Sequence, residues 1–164
     1  MGKSLKIATK TAGAFAYLHS AIFVPIIHRY VKTTKIQLDD NYTGKVSDFG
    51  ASRLVHVDQT QLNTLVQGTL GYLGPEYMQT SQITKLSDVY SLSVVMAELL
   101  TGKKTLSFDR PEIYRNLEIY FLTTIKEDRL LQIFENHIVN EGNIEQLKEV
   151  VNLAKKVHSV ERGG

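Results

Sequence analysis

Two short clusters hold most of the side chains capable of chemistry. The first is His28-Arg29-Tyr30 followed by Lys32 and Lys35, and the second is Asp48-Phe49-Gly50. Asp48 offers hard carboxylate oxygens of the kind that hold magnesium, and aspartate is also a common turn former. Tyr30 is a neutral phenol near pH 7 and is no general base there. Lys35 is a cation without an acceptor lone pair, so it repels a metal, and by residue type alone it reads as solvated. Arg29 and Lys32 are donors without an obvious job, and His28 reads as a packed, hydrogen-bonded histidine rather than an acid or base. Gly68-Thr69, Pro75-Glu76 and Asp88 follow in order along the chain.

These residues need elements to position them. Leu5, Ala8, Ala12, Phe15 and Leu18 recur at helical spacing, with Lys6, Lys10 and His19 on other faces, which predicts an amphipathic helix over about residues 4 to 20. The segments 35–38 and 44–47 flank the turn-rich Asp39-Asp40-Asn41-Tyr42-Thr43-Gly44, so a small hairpin is expected. From Asp48 to about Thr80 no period is sustained, and so long an irregular stretch inside a domain is usually functional or mobile. A helix capped near Ser87 and ending before Gly102 is apolar nearly all round, which predicts a buried central helix. Helical patterns continue through Ile113, Leu117, Tyr120 and Phe121, then from Leu130 to Ile138, and from Asn143 through Val157. The expected fold class is mainly α with one small β-hairpin.

Composition narrows the function. The chain has 164 residues, 43% hydrophobic and 22% charged, with a formal net charge of +2 and no run of like charges. That suits one globular domain and gives no case for nucleic acid or an anionic membrane surface. With no cysteine, disulfides and thiolate metal sites are excluded. The N-terminus lacks the apolar run of a signal peptide, and the richest apolar stretch, Leu92 to Leu100, is interrupted by Ser93 and Glu98. A cytoplasmic location without membrane insertion is the expectation.

The ordered constellation, with the runs KVSDFGASR (45–53) and GTLGYLGPEY (68–77), closely resembles plant wall-associated receptor-like protein kinases over nearly the whole chain. The resemblance implies a kinase-like C-terminal lobe over residues 1–160, truncated at both ends with the N-terminal lobe absent, and a short tail at 161–164. It also implies ATP and magnesium as the family's cofactors, although none is expected to bind here. Where the family has the aspartate of its H-R-D loop this chain has Tyr30, and loss of general-base help alone costs about 10²- to 10⁴-fold. Where the family has a magnesium-binding asparagine this chain has Lys35, placed to pair with Asp48, the remaining family metal ligand. Gln37 replaces an aliphatic residue beneath adenine. No phosphate loop is supplied elsewhere, since Gly102-Lys103-Lys104 reads as a helix stop.

What survives is architectural. His28, Phe49 and Asp88 match positions that tie the two loops to the central helix, and Glu76 matches a carboxylate that pairs in the family with a buried arginine. Here Arg162 is the candidate replacement, and an unpaired buried carboxylate would cost about 3 to 5 kcal/mol. Arg29 matches a phosphate-receiving arginine and Lys32 a phosphate-touching lysine. Thr60 and Thr64 lie in the activation segment, and Thr69 matches a substrate-facing threonine, so phosphorylation there could dock a phosphate on Arg29. The expected function is an impaired kinase-like (pseudokinase) module that binds kinases, their substrates or effectors. The alternatives are a residual or complemented serine/threonine kinase, and a truncated product without a role.

Overall fold

A computed structural model describes residues 2–21, 23–56, 61–129, 132–134, 148 and 152 of the chain. The N-terminal stripe forms helix α1, Lys3–Ala16, which buries Leu5, Ile7, Ala8, Thr11 and Phe15. It runs into one π-helical turn, Tyr17–Ala21. The extra residue in such a turn rotates the apolar face, so Leu18 and His19 both point inward. The sequence had set His19 on an outer face, and the structure buries it.

The expected hairpin is present as β2 (Ile36–Leu38) against β3 (Gly44–Val46), antiparallel, with Ile36 opposite Val46 and Leu38 opposite Gly44. Asp39 shapes its turn by accepting from the N–H groups of Asn41 (3.0 Å) and Thr43 (2.9 Å), and these bonds lower its pKa. Gly44 packs so closely on α1 that a Cβ there would stand 2.4 Å from the Thr11 hydroxyl. Two further antiparallel pairs exist among the described residues, β1 (Ile26–Ile27) with β4 (Arg53–Leu54) and β5 (Leu62–Asn63) with β6 (Gln82–Ile83). At two residues each, none could show a period in the sequence. The same holds for α2, Pro75–Thr80, whose first residue is the helix-compatible Pro75.

Helix α3, Lys85–Thr101, is the buried centre, with Tyr90, Leu92, Val94, Val95, Met96, Ala97 and Leu100 in the core. Its N-cap is Thr84 and not Ser87. The Thr84 hydroxyl accepts from Leu86 N–H (3.1 Å), and Ser87, inside the first turn, accepts from Thr84 N–H (3.1 Å), which completes a capping box. Gly102 ends the helix in the left-handed region, φ 63°, as expected. Ser93 donates to Tyr90 O at 2.7 Å, which satisfies its hydroxyl within the helix.

One cluster packs α1 against α3 through Ala8, Phe15, Leu18, Val31, Tyr90 and Val94. A second joins the end of α3 to α4 (Leu117–Lys126) through Leu100, Leu117, Phe121 and Ile125. The Tyr90 hydroxyl donates to Glu118, so the buried carboxylate between these helices is hydrogen-bonded. A single 3₁₀ turn, Glu112–Tyr114, stands where the pattern at Ile113 suggested helix. Most of the expected helix at 130–138, all but residues 148 and 152 of the one from Asn143, the tail at 161–164, Thr60 and Arg162 lie outside the described residues.

Candidate functional site

Asp88, on the first turn of α3 and 1% exposed, organises the loop that follows β1. Its Oδ2 accepts from His28 N–H (2.7 Å) and from His19 Nε2 (3.0 Å), and its Oδ1 accepts from Arg29 N–H (2.8 Å). These bonds hold Arg29 in the left-handed region at φ 71°, a conformation that costs about 1 to 3 kcal/mol in a non-glycine residue. His28 is fully buried, and its partners fix its tautomer. Nε2–H donates to Ser47 O (2.9 Å), leaving Nδ1 to accept from Tyr30 N–H (3.3 Å). Its ring meets Phe15 edge-on at 5.9 Å and Phe49 at 4.9 Å. His28 and Asp88 thus tie loop to helix. Phe49 touches the same core but remains 42% exposed.

Arg29 is 5% exposed, and among the described residues its guanidinium meets only neutral acceptors. Its Nη2 donates to Thr64 Oγ1 (2.8 Å), Leu65 O (3.1 Å) and the Tyr77 hydroxyl (3.4 Å), and its Nη1 to Ala51 O (3.4 Å). Its Nε is buried without a partner. Among the described residues no anion meets this buried guanidinium, and the side chains that do are those of Thr64 and, at longer range, Tyr77.

Beyond the loop, the 3₁₀ turn Thr33–Lys35 delivers Lys35 to Asp48, and the two form an ion pair. Asp48 is itself left-handed, φ 64°. The Lys35 ammonium hydrogen-bonds the Asp48 carboxylate and holds its pKa below the usual range. Tyr30, half-buried, lies within cation–π range of two ammoniums, with its ring centroid 5.2 Å from Lys32 Nζ and 6.0 Å from Lys35 Nζ. Gln37 stands exposed on β2 opposite Lys45, so its amide is solvated and carries no burial penalty. Thr69 is half-buried and gives its carbonyl to Tyr72 N–H (3.0 Å). Glu76 is exposed, which overturns the expected cost of a buried unpaired carboxylate: water solvates it where it stands.

A second polar node has only one sign in the sequence, a glutamate in the apolar run of α3. Glu98 Oε2 accepts from the Tyr72 hydroxyl (2.6 Å) and from Thr33 Oγ1 (3.1 Å), and its Oε1 accepts from Thr105 N–H (3.1 Å). Burial and the neighbouring carboxylate push the Tyr72 phenol up to about 12. Beside it lies a cavity of about 230 Å³ lined by Thr33, Glu98, Leu99, Gly102, Lys103 and Lys104.

The model of the family described as "Protein kinase domain" matches residues 2–160. The chain belongs to the protein kinase domain family. It is 52% identical to wall-associated receptor kinase 5 of Arabidopsis thaliana over 150 residues, 92% of this chain and 20% of that one. With the Arabidopsis putative wall-associated receptor kinase-like 16, identity is 51% over 92% of this chain and 35% of that one. The chain therefore spans about a fifth to a third of the length of these relatives. Among solved structures it is similar to the pseudokinase domain of BIR2, with a TM-score of 0.75 and 24% identity over 94% of this chain and 45% of that one. At that identity the likeness shows a kinase-like fold.

Within this protein kinase domain, a magnesium ion would require several oxygen ligands in one place. The residues present do not fit it: Asp48 is engaged by the Lys35 ammonium, a second ammonium, on Lys32, approaches the Tyr30 ring, and among the described residues no group of three or more His, Asp or Glu side chains could hold a metal.

Proposed function

We propose that this protein kinase domain segment is the mainly helical C-terminal lobe of the fold, one unit over residues 1–160 with a tail at 161–164, and that it works as a catalytically impaired interaction or decoy module in kinase signalling. The observation that carries the reading is the Lys35–Asp48 ion pair beside Tyr30. Transfer of a phosphoryl group needs an acceptor for the attacking hydroxyl's proton and cations held by oxygen ligands. A phenol and an ammonium occupy the two matching positions, while His28, Phe49 and Asp88 keep the surrounding scaffold. Its partners are proteins: kinases, their substrates or effectors. The proposed location is the cytoplasm; among the described residues no helix is long and apolar enough to cross a membrane.

Of the three threonines singled out, Thr64 is the proposed phosphate acceptor, because its hydroxyl already meets Arg29 at 2.8 Å. The test is a thermal-shift titration with ATP, with and without magnesium, run beside radiolabelled phosphate transfer and binding to an immobilised wall-associated receptor kinase domain. The expected results are no magnesium-dependent shift, no transfer, and saturable binding to the kinase domain. A saturable ATP·magnesium response with transfer that disappears in Asp48→Ala would refute the reading.

A further inference from the structure

The turn between β2 and β3 contains none of the residues to which the family resemblance gave a role. It carries Tyr42 at its tip, 41% exposed and left-handed at φ 57°. That conformation is uncommon for a bulky residue and persists only where the surroundings determine it. The Tyr42 N–H donates to Asp39 O (2.9 Å), and the Lys3 ammonium donates to the Tyr42 hydroxyl (3.0 Å) and stands 4.4 Å from the centroid of its ring. Alongside, the Lys6 ammonium donates to Asn41 O (2.7 Å), a neutral carbonyl. Lys3 and Lys6 share one face of α1, so the helix brings two ammoniums to the turn that bears this phenol.

Accessibility separates Tyr42 from the other phenols. Of the eight tyrosines only Tyr17 and Tyr42 are exposed. Tyr17 opens the π-helical turn, whose backbone hydrogen bonds would have to break to present it, whereas a turn tip is open to another enzyme with little unfolding. The acids near Tyr42 belong to the turn itself: Asp39, three residues before it, accepts from the N–H groups of Asn41 and Thr43 and lies 3.7 Å from Lys45, and Asp40 is exposed. The Lys3 hydrogen bond and charge lower the Tyr42 pKa.

We infer that Tyr42 is a phosphorylation site, and that Lys3 and Lys6 receive its phosphate and so staple the β2–β3 hairpin to α1. A separate tyrosine-specific protein kinase supplies the reaction. The phenol oxygen bonds to the γ-phosphorus of ATP, the bond from that phosphorus to the β,γ-bridging oxygen breaks, ADP leaves, and the phenol proton passes to that kinase's base. The ester carries about −1.5 to −2 charge near pH 7 and strong acceptor oxygens, which suits two ammoniums with three N–H donors each. The inference goes beyond the impaired-module reading and does not depend on it. Strands β2 and β3 run from Lys35 and toward Asp48, so the staple braces the hairpin that carries this ion pair at its open end.

The test incubates the whole chain with ATP·magnesium and a purified tyrosine-specific kinase that phosphorylates the free peptide 36–46, locates the phosphate by mass spectrometry, and follows thermal unfolding with and without the modification. Tyr42 is expected to carry the phosphate, and the modification to raise the unfolding midpoint by about 2 °C near pH 8. The phosphate pKa, near 6 in the unfolded chain, should stand about 0.5 lower in the folded one by phosphorus NMR. The gain is therefore present above about pH 6 and lost as pH falls through the folded value. Both effects are expected to vanish when Lys3→Ala and Lys6→Ala are combined, and to remain in Lys126→Ala, a lysine at the end of α4. Circular dichroism of each variant confirms that it is folded.

Tyr42 left unmodified in the folded chain by a kinase that phosphorylates the free peptide would overturn the proposal. So would a midpoint unchanged or lowered by phosphate on Tyr42, or a gain of equal size with both lysines replaced.

Discussion

Replacing Asp88 by alanine offers the sharpest check on how the loop is held. The side chain is 1% exposed and accepts three hydrogen bonds, from two backbone N–H groups and one imidazole. Removing it leaves those donors buried without acceptors, at about 1 to 3 kcal/mol each. His19 is 8% exposed and reaches water with a small movement, so its share falls at the low end. The expected loss is about 3 to 7 kcal/mol, a large part of the roughly 5 to 15 kcal/mol that holds a domain folded. Urea unfolding followed by far-ultraviolet circular dichroism reads it directly.

His19→Ala should cost only about 1 to 2 kcal/mol, and less again in an Asp88→Ala background, because the two share one bond. If Asp88→Ala is too unstable to purify, Asp88→Asn retains one acceptor oxygen and should fall between it and the native chain. A loss below about 1 kcal/mol for Asp88→Ala, with an unchanged denaturant slope, would refute the account of the loop.

Lys35→Asn should raise the Asp48 pKa toward the ordinary carboxylate value, read by carboxyl carbon NMR. Since the native pKa is depressed, any stabilisation from the pair is present above the unfolded value near 4 and is lost as pH falls through the native one. Tyr72→Phe should abolish the phenol that titrates at about 12 in an ultraviolet titration. The raised value means its contribution is present below about pH 10 and lost on rising through 12. Phosphothreonine at position 64 should have its phosphate pKa lowered by Arg29, a shift visible by phosphorus NMR and absent in Arg29→Ala. Gly102→Ala should destabilise the chain by about 1 kcal/mol, measured by thermal unfolding, because φ 63° is strained for any residue with a Cβ.

The long elements were legible because their physics is local. The stripe from Leu5 to Phe15 and the apolar run of α3 state their own period, and Gly102 marks its own stop. The cap of α3 was misplaced by three residues because Thr84 and Ser87 belong to one capping box, and either side chain alone looks like a cap. The Lys35–Asp48 pair was expected by resemblance, which set Lys35 at the family's metal-binding asparagine beside Asp48; the residue type alone read equally well as a solvated lysine. The role of Asp88 was expected only by resemblance, and no pattern near His19 announced that a π turn would aim it at that carboxylate. Arg29 is similar: its residue type was visible, but its burial among carbonyls and hydroxyls depends on strands of two residues that leave no periodic trace. At Glu76 the resemblance suggested a buried carboxylate and the position is exposed, while its candidate partner Arg162 lies outside the described residues.

The bond from His28 N–H to Asp88 spans 60 residues of sequence. A left-handed arginine held by so distant a carboxylate has no local reason to adopt its shape, so closure of that long loop must precede it. The expected order of assembly has α3 dock on α1 through the buried cluster first, with the segment carrying Arg29 set last. Substitutions at Arg29 should therefore accelerate unfolding while leaving the refolding rate nearly untouched.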